Sequence, residues 1–258
     1  LLVLNNKEEA AYYLNDLEQL IGEQDVLFYP GSFRRPYQIE ETDNANVLLR
    51  AEVLNRINSR KKPTVIVSYP EALFEKVVTR KDLDKNTLKV TVGDKISIDF
   101  INEVLFEYEF KRVDFITEPG EFSVRGGIVD VFSFSNDNPY RIEVESIRSF
   151  DVATQLSIEK QKKITIIPNV ENKVFQENRE SFLDYISEKT VIFIQNTEDL
   201  FLQLDKQFVK AEEAFEKLSK DIKHATPEQL FLNQASFIKR ALDFSVVELG
   251  SKDVFRTM

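Results

Sequence analysis

Arg112-Val113-Asp114-Phe115, followed by Pro119-Gly120-Glu121-Phe122-Ser123-Val124-Arg125-Gly126-Gly127-Ile128-Val129-Asp130-Val131-Phe132, is the stretch whose reading decides the fold. Phe122 and Val124 alternate with Glu121, Ser123 and Arg125, the period-two pattern of a half-buried strand. Pro119-Gly120 is turn chemistry before that strand, and Gly126-Gly127 supplies a bend or bulge after it. Ile128, Val129, Val131 and Phe132 form a further β-branched and aromatic run. The segment holds no nucleophile, metal cluster or phosphate cradle. It reads as a sheet that presents a surface.

On either side of this sheet the rhythm is different. Apolar strands at Leu1–Asn5, 25–29 and 63–69 alternate with helices over Lys7–Ile21 and from Asp43 to about Arg60, and Pro70 opens a short helix to about Val78. Strands alternating with helices imply a parallel α/β layer. After Thr79 come a strand at 88–92, a helix over 97–108, and strands at 112–116, 121–125, 128–134, 140–144, 147–150 and 164–167. Beyond Pro168 the α/β rhythm returns. A helix is expected over 179–187, a strand at 191–195, a helix capped by Thr197, another opened by Pro227, and a last strand at 244–249. The expected fold is thus α/β: a parallel-sheet domain (1–78 and 153–258) interrupted by a smaller α+β domain with an antiparallel sheet (79–152).

Composition narrows the classes. Of 258 residues, 42% are hydrophobic and 30% charged, ordinary for a globular protein. There are no cysteines, which excludes a disulfide framework or thiolate metal site and suits a reducing cytoplasm. No apolar run approaches the roughly 20 residues of a membrane span. The chain opens inside a strand without an initiator Met, as expected of a fragment. A net charge of −10 opposes broad nucleic-acid binding. Between Lys111 and Asp151 there are 5 Lys/Arg against 8 Asp/Glu, so the insert itself supplies no basic stripe.

The α/β halves invite a nucleotide-binding reading, yet the sequence contains neither G-x-x-x-x-G-K-[ST] nor G-x-G-x-x-G among its 7 glycines. No Asp-Glu pair follows an apolar strand to hold magnesium. This chain is therefore not expected to be an enzyme. The single histidine, His224, lies in a polar stretch and reads as a solvated loop residue.

The run Val113–Phe132, continued by Tyr140-Arg141-Ile142-Glu143 and Ser146-Ile147-Arg148-Ser149-Phe150-Asp151, resembles the UvrB-like N-terminal module of bacterial transcription-repair coupling factors. The strict motif covers about a sixth of the chain. The strand–helix order around it suits that family's arrangement, a degenerate P-loop-NTPase-like domain 1 split around a domain 2. UvrB itself carries a P-loop and a tyrosine-rich hairpin; here only Pro30-Gly31-Ser32-Phe33-Arg34-Arg35-Pro36-Tyr37-Gln38 follows the second strand. The resemblance implies that domain 2 binds UvrA and recruits it where RNA polymerase has stalled. It also implies that a C-terminal domain of the same protein masks this face. Contacts with RNA polymerase and DNA, and the motor's ATP and magnesium, would belong to other regions of the longer protein. No cofactor is implied for this chain.

The UvrA-binding candidates are the motif residues able to point outward. Arg125 alternates with Phe122 and Val124, and Arg112, Arg141 and Arg148 flank it on neighbouring strands. Arginine suits bidentate pairing with carboxylates at an interface. Phe132 and Phe134 are the aromatic anchor candidates, with core packing as the alternative. Glu143 and Glu145 offer Arg141 and Arg148 cross-strand pairs within the sheet instead. The turn between Arg141 and Arg148 is shorter than the family's. Two other readings stand beside this one: a fragment of a UvrB-like ATP-dependent helicase, and a direct DNA-binding module.

Overall fold

The computed structural model describes residues 1–32, 36–37, 44–59, 62–94, 97–143, 145–170, 178–218 and 224–249. It forms two units: residues 1–80 with 173–258, and residues 81–172. Asp43, the expected helix cap, and Val144, at the tip of the short turn, lie outside the described residues.

In chain order the first segment holds β1 (Leu2–Val3), α1 (Lys7–Ile21), β2 (Val26–Phe28), α2 (Asn44–Ser59), β3 (Val65–Ser68), α3 (Pro70–Phe74) and β4 (Val77–Val78). Then come α4 (Arg80–Lys85), β5 (Leu88–Thr91), α5 (Ile98–Glu107), β6 (Lys111–Arg112), β7 (Glu121–Arg125) and β8 (Ile128–Val131). These lead to β9 (Tyr140–Glu143), β10 (Ser146–Phe150), β11 (Ser157–Gln161) and β12 (Lys163–Ile166). The last segment holds β13 (Arg179–Glu180), α6 (Phe182–Tyr185), β14 (Val191–Ile194), α7 (Thr197–Glu216), α8 (Pro227–Leu230), α9 (Gln234–Ala241) and β15 (Ser245–Glu248).

The first unit is built on a five-stranded parallel sheet, ordered β15-β14-β1-β3-β2. Helices α1, α6, α7 and α9 start where a side chain satisfies a free backbone N–H. Asn6 accepts the Glu9 N–H at the head of α1, worth about 1 kcal/mol, and Gly22 ends that helix at φ 93°. Asn196 caps α7, so Thr197 is its first helical residue rather than the expected cap. The helix expected from Pro227 is broken in two. Phe231 leaves it to bridge Glu75, Leu232 bonds the Phe74 carbonyl, and Asn233 caps a fresh start. His224, expected in solvent, is half-buried.

Beyond the ends of β2 and β3 this unit buries a charge pair. Arg50 of α2 is 0% exposed and reaches Glu75 at 3.3 Å and the Pro30 carbonyl at 2.9 Å. Its guanidinium also lies 4.5 Å over the Tyr29 ring. Glu75 accepts the Ser32 N–H at 2.9 Å and the Ser32 hydroxyl at 2.7 Å. A charge pair this far from water needs such partners to offset its desolvation.

The inserted unit is a six-stranded sheet, β11-β10-β9-β8-β7-β6, antiparallel except for the short β6–β7 pair. It runs to Asn172, further than the 152 expected, because β12 returns to pair with β5. Phe122, Val129, Val131, Ile142 and Ile147 are its buried face. Helix α5 lies against that face. Ser97 caps it through the Phe100 N–H, Phe106 meets Phe122 edge-on, and Ile98 and Ile101 line a 70 Å³ cavity with Val129, Ile142 and Ile147.

Candidate protein-binding face

Period two decides which side chains reach the other face of the inserted sheet. With Phe122 and Val129 inward, Ser123, Arg125 and Asp130 are outward. The register sets Ser123 opposite Asp130, Asp130 opposite Arg141, and Arg141 opposite Arg148, one row across β7, β8, β9 and β10. Arginines directly opposite each other repel unless a counter-charge intervenes. Two carboxylates supply it.

Asp130 is the first. It is 1% exposed yet sits between two guanidiniums. Arg141 grips it with two bonds, Nε to Oδ1 at 2.7 Å and Nη2 to Oδ2 at 2.8 Å, and also donates to Gln155 at 3.2 Å. The hydrogen bonds to Asp130 push the Arg141 guanidinium further above its already high ordinary value. Arg125 donates a single bond, Nη2 to Oδ2 at 2.5 Å. The side chain of Arg125 is 43% exposed, against 15% for Arg141. Glu143 is the second carboxylate, 2.7 Å from the half-buried Arg148.

Aromatic rings brace both guanidiniums held by Asp130. Arg125 lies 5.1 Å over the Phe115 ring and Arg141 4.4 Å over Phe150, contacts worth roughly 0.5–1 kcal/mol each where exposed. Phe115 itself is 65% exposed. An open depression of about 470 Å³ is lined by Arg112, Phe115, Ser123 and Arg125, together with the exposed Asp114. Arg112 is exposed and, among the described residues, makes no ion pair.

The sequence-derived residues therefore separate. Arg112 and Arg125 line one depression; Arg141 stands behind Arg125 through Asp130; Arg148 is turned to Glu143. Phe132 is not an exposed anchor. It is 7% exposed and packs with Ile116 and Phe150, braced by Val113 and Val152. Strand pairing continues past β8, since the Phe132 N–H bonds Glu121 and its carbonyl accepts the Gly120 N–H. Phe134 is equally buried, its ring 5.8 Å from Phe110 and against Gly120. The strand expected over 112–116 shortens to Lys111–Arg112. The Glu121 carboxylate takes the N–H groups of Thr117 and Glu118, holding a turn there instead.

Sequence reasoning passed over Phe115 and Asp130. Asp130 carried a signal: an acid alternating with Val129 and Val131, on the same side of the strand as Ile128. Phe115 carried none, because a strand through 116 accounted for it.

Residues 88–171 match the family described as the UvrB interaction domain, which takes in the whole of this face. Similarity to curated proteins extends further. The chain is 32% identical to the transcription-repair-coupling factor of Bacillus subtilis over 173 residues, 65% of the chain and 14% of that protein. It is 29% identical to that of Rickettsia bellii over 189 residues, 71% of the chain and 17% of that protein. With that of Haemophilus influenzae the identity is 24% over 210 residues, 80% of the chain and 18% of that protein. The resemblance read from residues 113–151 is thus shown: the inserted unit carries a UvrB interaction domain, and the chain is homologous to part of the transcription-repair-coupling factors. It spans less than a fifth of the length of these relatives. No helix among the described residues is long and apolar enough to cross a membrane.

Proposed function

We propose that this chain is the UvrA-recruiting module of a transcription-repair coupling factor, and that the outward face of the inserted sheet meets UvrA. The observation that carries this reading is the depression shared by Arg112, Phe115 and Arg125, within the segment matching the UvrB interaction domain. Arg125 offers a guanidinium with donors to spare, Arg112 a second cation, and Phe115 an exposed ring between apolar and charged ground. Aromatic and arginine side chains are those that dominate interface energetics. Such a face suits a partner surface bearing carboxylates.

On this reading the module works without a cofactor and performs no chemistry. ATP, magnesium, RNA polymerase and DNA are engaged by other parts of the longer protein, and a C-terminal domain of that protein covers this face until it is needed. Calorimetry with UvrA tests the assignment. Arg112→Ala is expected to weaken binding while leaving thermal unfolding unchanged; unaltered affinity would remove Arg112 from the site.

A further inference from the structure

We propose that Asp130 is the positioning residue of this face: a buried carboxylate that aims Arg125 and sets the net charge the partner meets. The proposal rests on the reading that this face binds UvrA.

A carboxylate so far from water is tolerated only with charged, hydrogen-bonding partners. Asp130 has two. Arg141 occupies both of its oxygens, and its own side chain is largely covered. That clamp fixes the carboxylate in the sheet. Arg125 then bonds Oδ2 through Nη2 alone, with its guanidinium over the Phe115 ring. The carboxylate defines one edge of the Arg125 fork and the ring defines its face. An arginine head restrained in this way loses less freedom on meeting a partner carboxylate, which is the general gain from preorganisation. Two guanidiniums against one carboxylate also leave a single net positive charge at this point of the row.

A purely structural role for Asp130 makes different predictions, and a double-mutant cycle separates them. UvrA binding is measured for wild type, Arg125→Ala, Asp130→Asn and the double variant, with association rates at two salt concentrations. Asparagine keeps the shape and one acceptor, and thermal unfolding confirms the fold. Asp130→Asn is expected to weaken affinity by roughly tenfold. Adding Arg125→Ala to it is expected to cost far less than Arg125→Ala costs wild type. Association at low salt is expected to rise, because the face gains one positive charge. Arg125→Lys is the second variant and leaves Asp130 untouched. Lysine keeps the charge without the planar fork, so it should bind as poorly as alanine.

Wild-type affinity for Asp130→Asn alongside a weakened Arg125→Ala overturns the proposal and leaves the UvrA reading standing. Losses that multiply independently in the double variant, or full affinity in Arg125→Lys, also overturn it. Wild-type affinity for Arg125→Ala overturns the UvrA reading, and the proposal with it.

Discussion

Each of the two units buries a charge pair, and they use it in opposite ways. In the parallel-sheet unit, Arg50 and Glu75 have side chains only 0% and 5% exposed. Their donors and acceptors turn inward, to the Pro30 carbonyl and to Ser32. In the inserted unit, Asp130 is just as deeply buried, but one of its arginines keeps 43% of its side-chain surface in solvent. The first arrangement ties a loop to two helical segments. The second anchors a cation at the surface. A buried carboxylate is thus not a functional signal by itself; what distinguishes the two is where the partner guanidinium points.

The largest expected effect on this contrast is in stability. Glu75→Ala removes the buried carboxylate from Arg50 and should destabilise the parallel-sheet unit by about 3–5 kcal/mol, seen in denaturant unfolding, while UvrA affinity of the folded fraction stays the same. A loss under about 1 kcal/mol would show that the pair does not staple that loop.

The two phenylalanines sharpen the contrast inside the inserted unit. Phe132→Ala empties the cluster with Ile116 and Phe150 and should cost about 3 kcal/mol of stability. Phe115→Ala should change stability by no more than about 1 kcal/mol and yet weaken UvrA binding. Reversed outcomes would return Phe132 to the interface.

Acid should bring a smaller effect. Burial alone would raise the Glu121 carboxyl, but the N–H groups of Thr117 and Glu118 and the Thr117 hydroxyl outweigh it and hold the group below its ordinary value. A folded value depressed below the unfolded one gives stability that is present above the ordinary Glu range, near 4.3, and lost as pH falls through the folded value. Melting temperature measured from about pH 6 to about pH 3 should therefore fall more steeply for wild type than for Glu121→Gln. Equal slopes would mean that this turn does not depend on the carboxylate.

Much of the fold was legible because local rules and tertiary packing agree. Lys7–Ile21 carries its cap, its helical spacing and its glycine stop in sequence, and Glu121–Arg125 carries a clean alternation between two turns. Both form over the residues expected. Strand β11 was missed because Ser157–Gln161 is polar and largely exposed, an edge strand held by its neighbour's ladder rather than by an apolar face. At the site, the arginines were visible as residue types but their partners were not. Glu143 and Glu145 are near in sequence, whereas Asp130 reaches Arg141 through the β8–β9 register, which no local pattern specifies. Phe132 was misplaced for the same reason. Alternation carries it to the same side as Asp130, but there Ile116 and Phe150 cover it, a packing contact that no local pattern specifies.

The central claim is that Arg125 presents a guanidinium to UvrA from a rigid sheet. The most direct test is calorimetric titration of UvrA with wild-type chain and with Arg125→Ala, alongside thermal unfolding of both. The account predicts a loss of about 2–5 kcal/mol in binding, roughly thirtyfold or more, with unfolding shifted by less than about 1 kcal/mol. Equal affinities, or a loss of binding matched by a loss of folded protein, would contradict it.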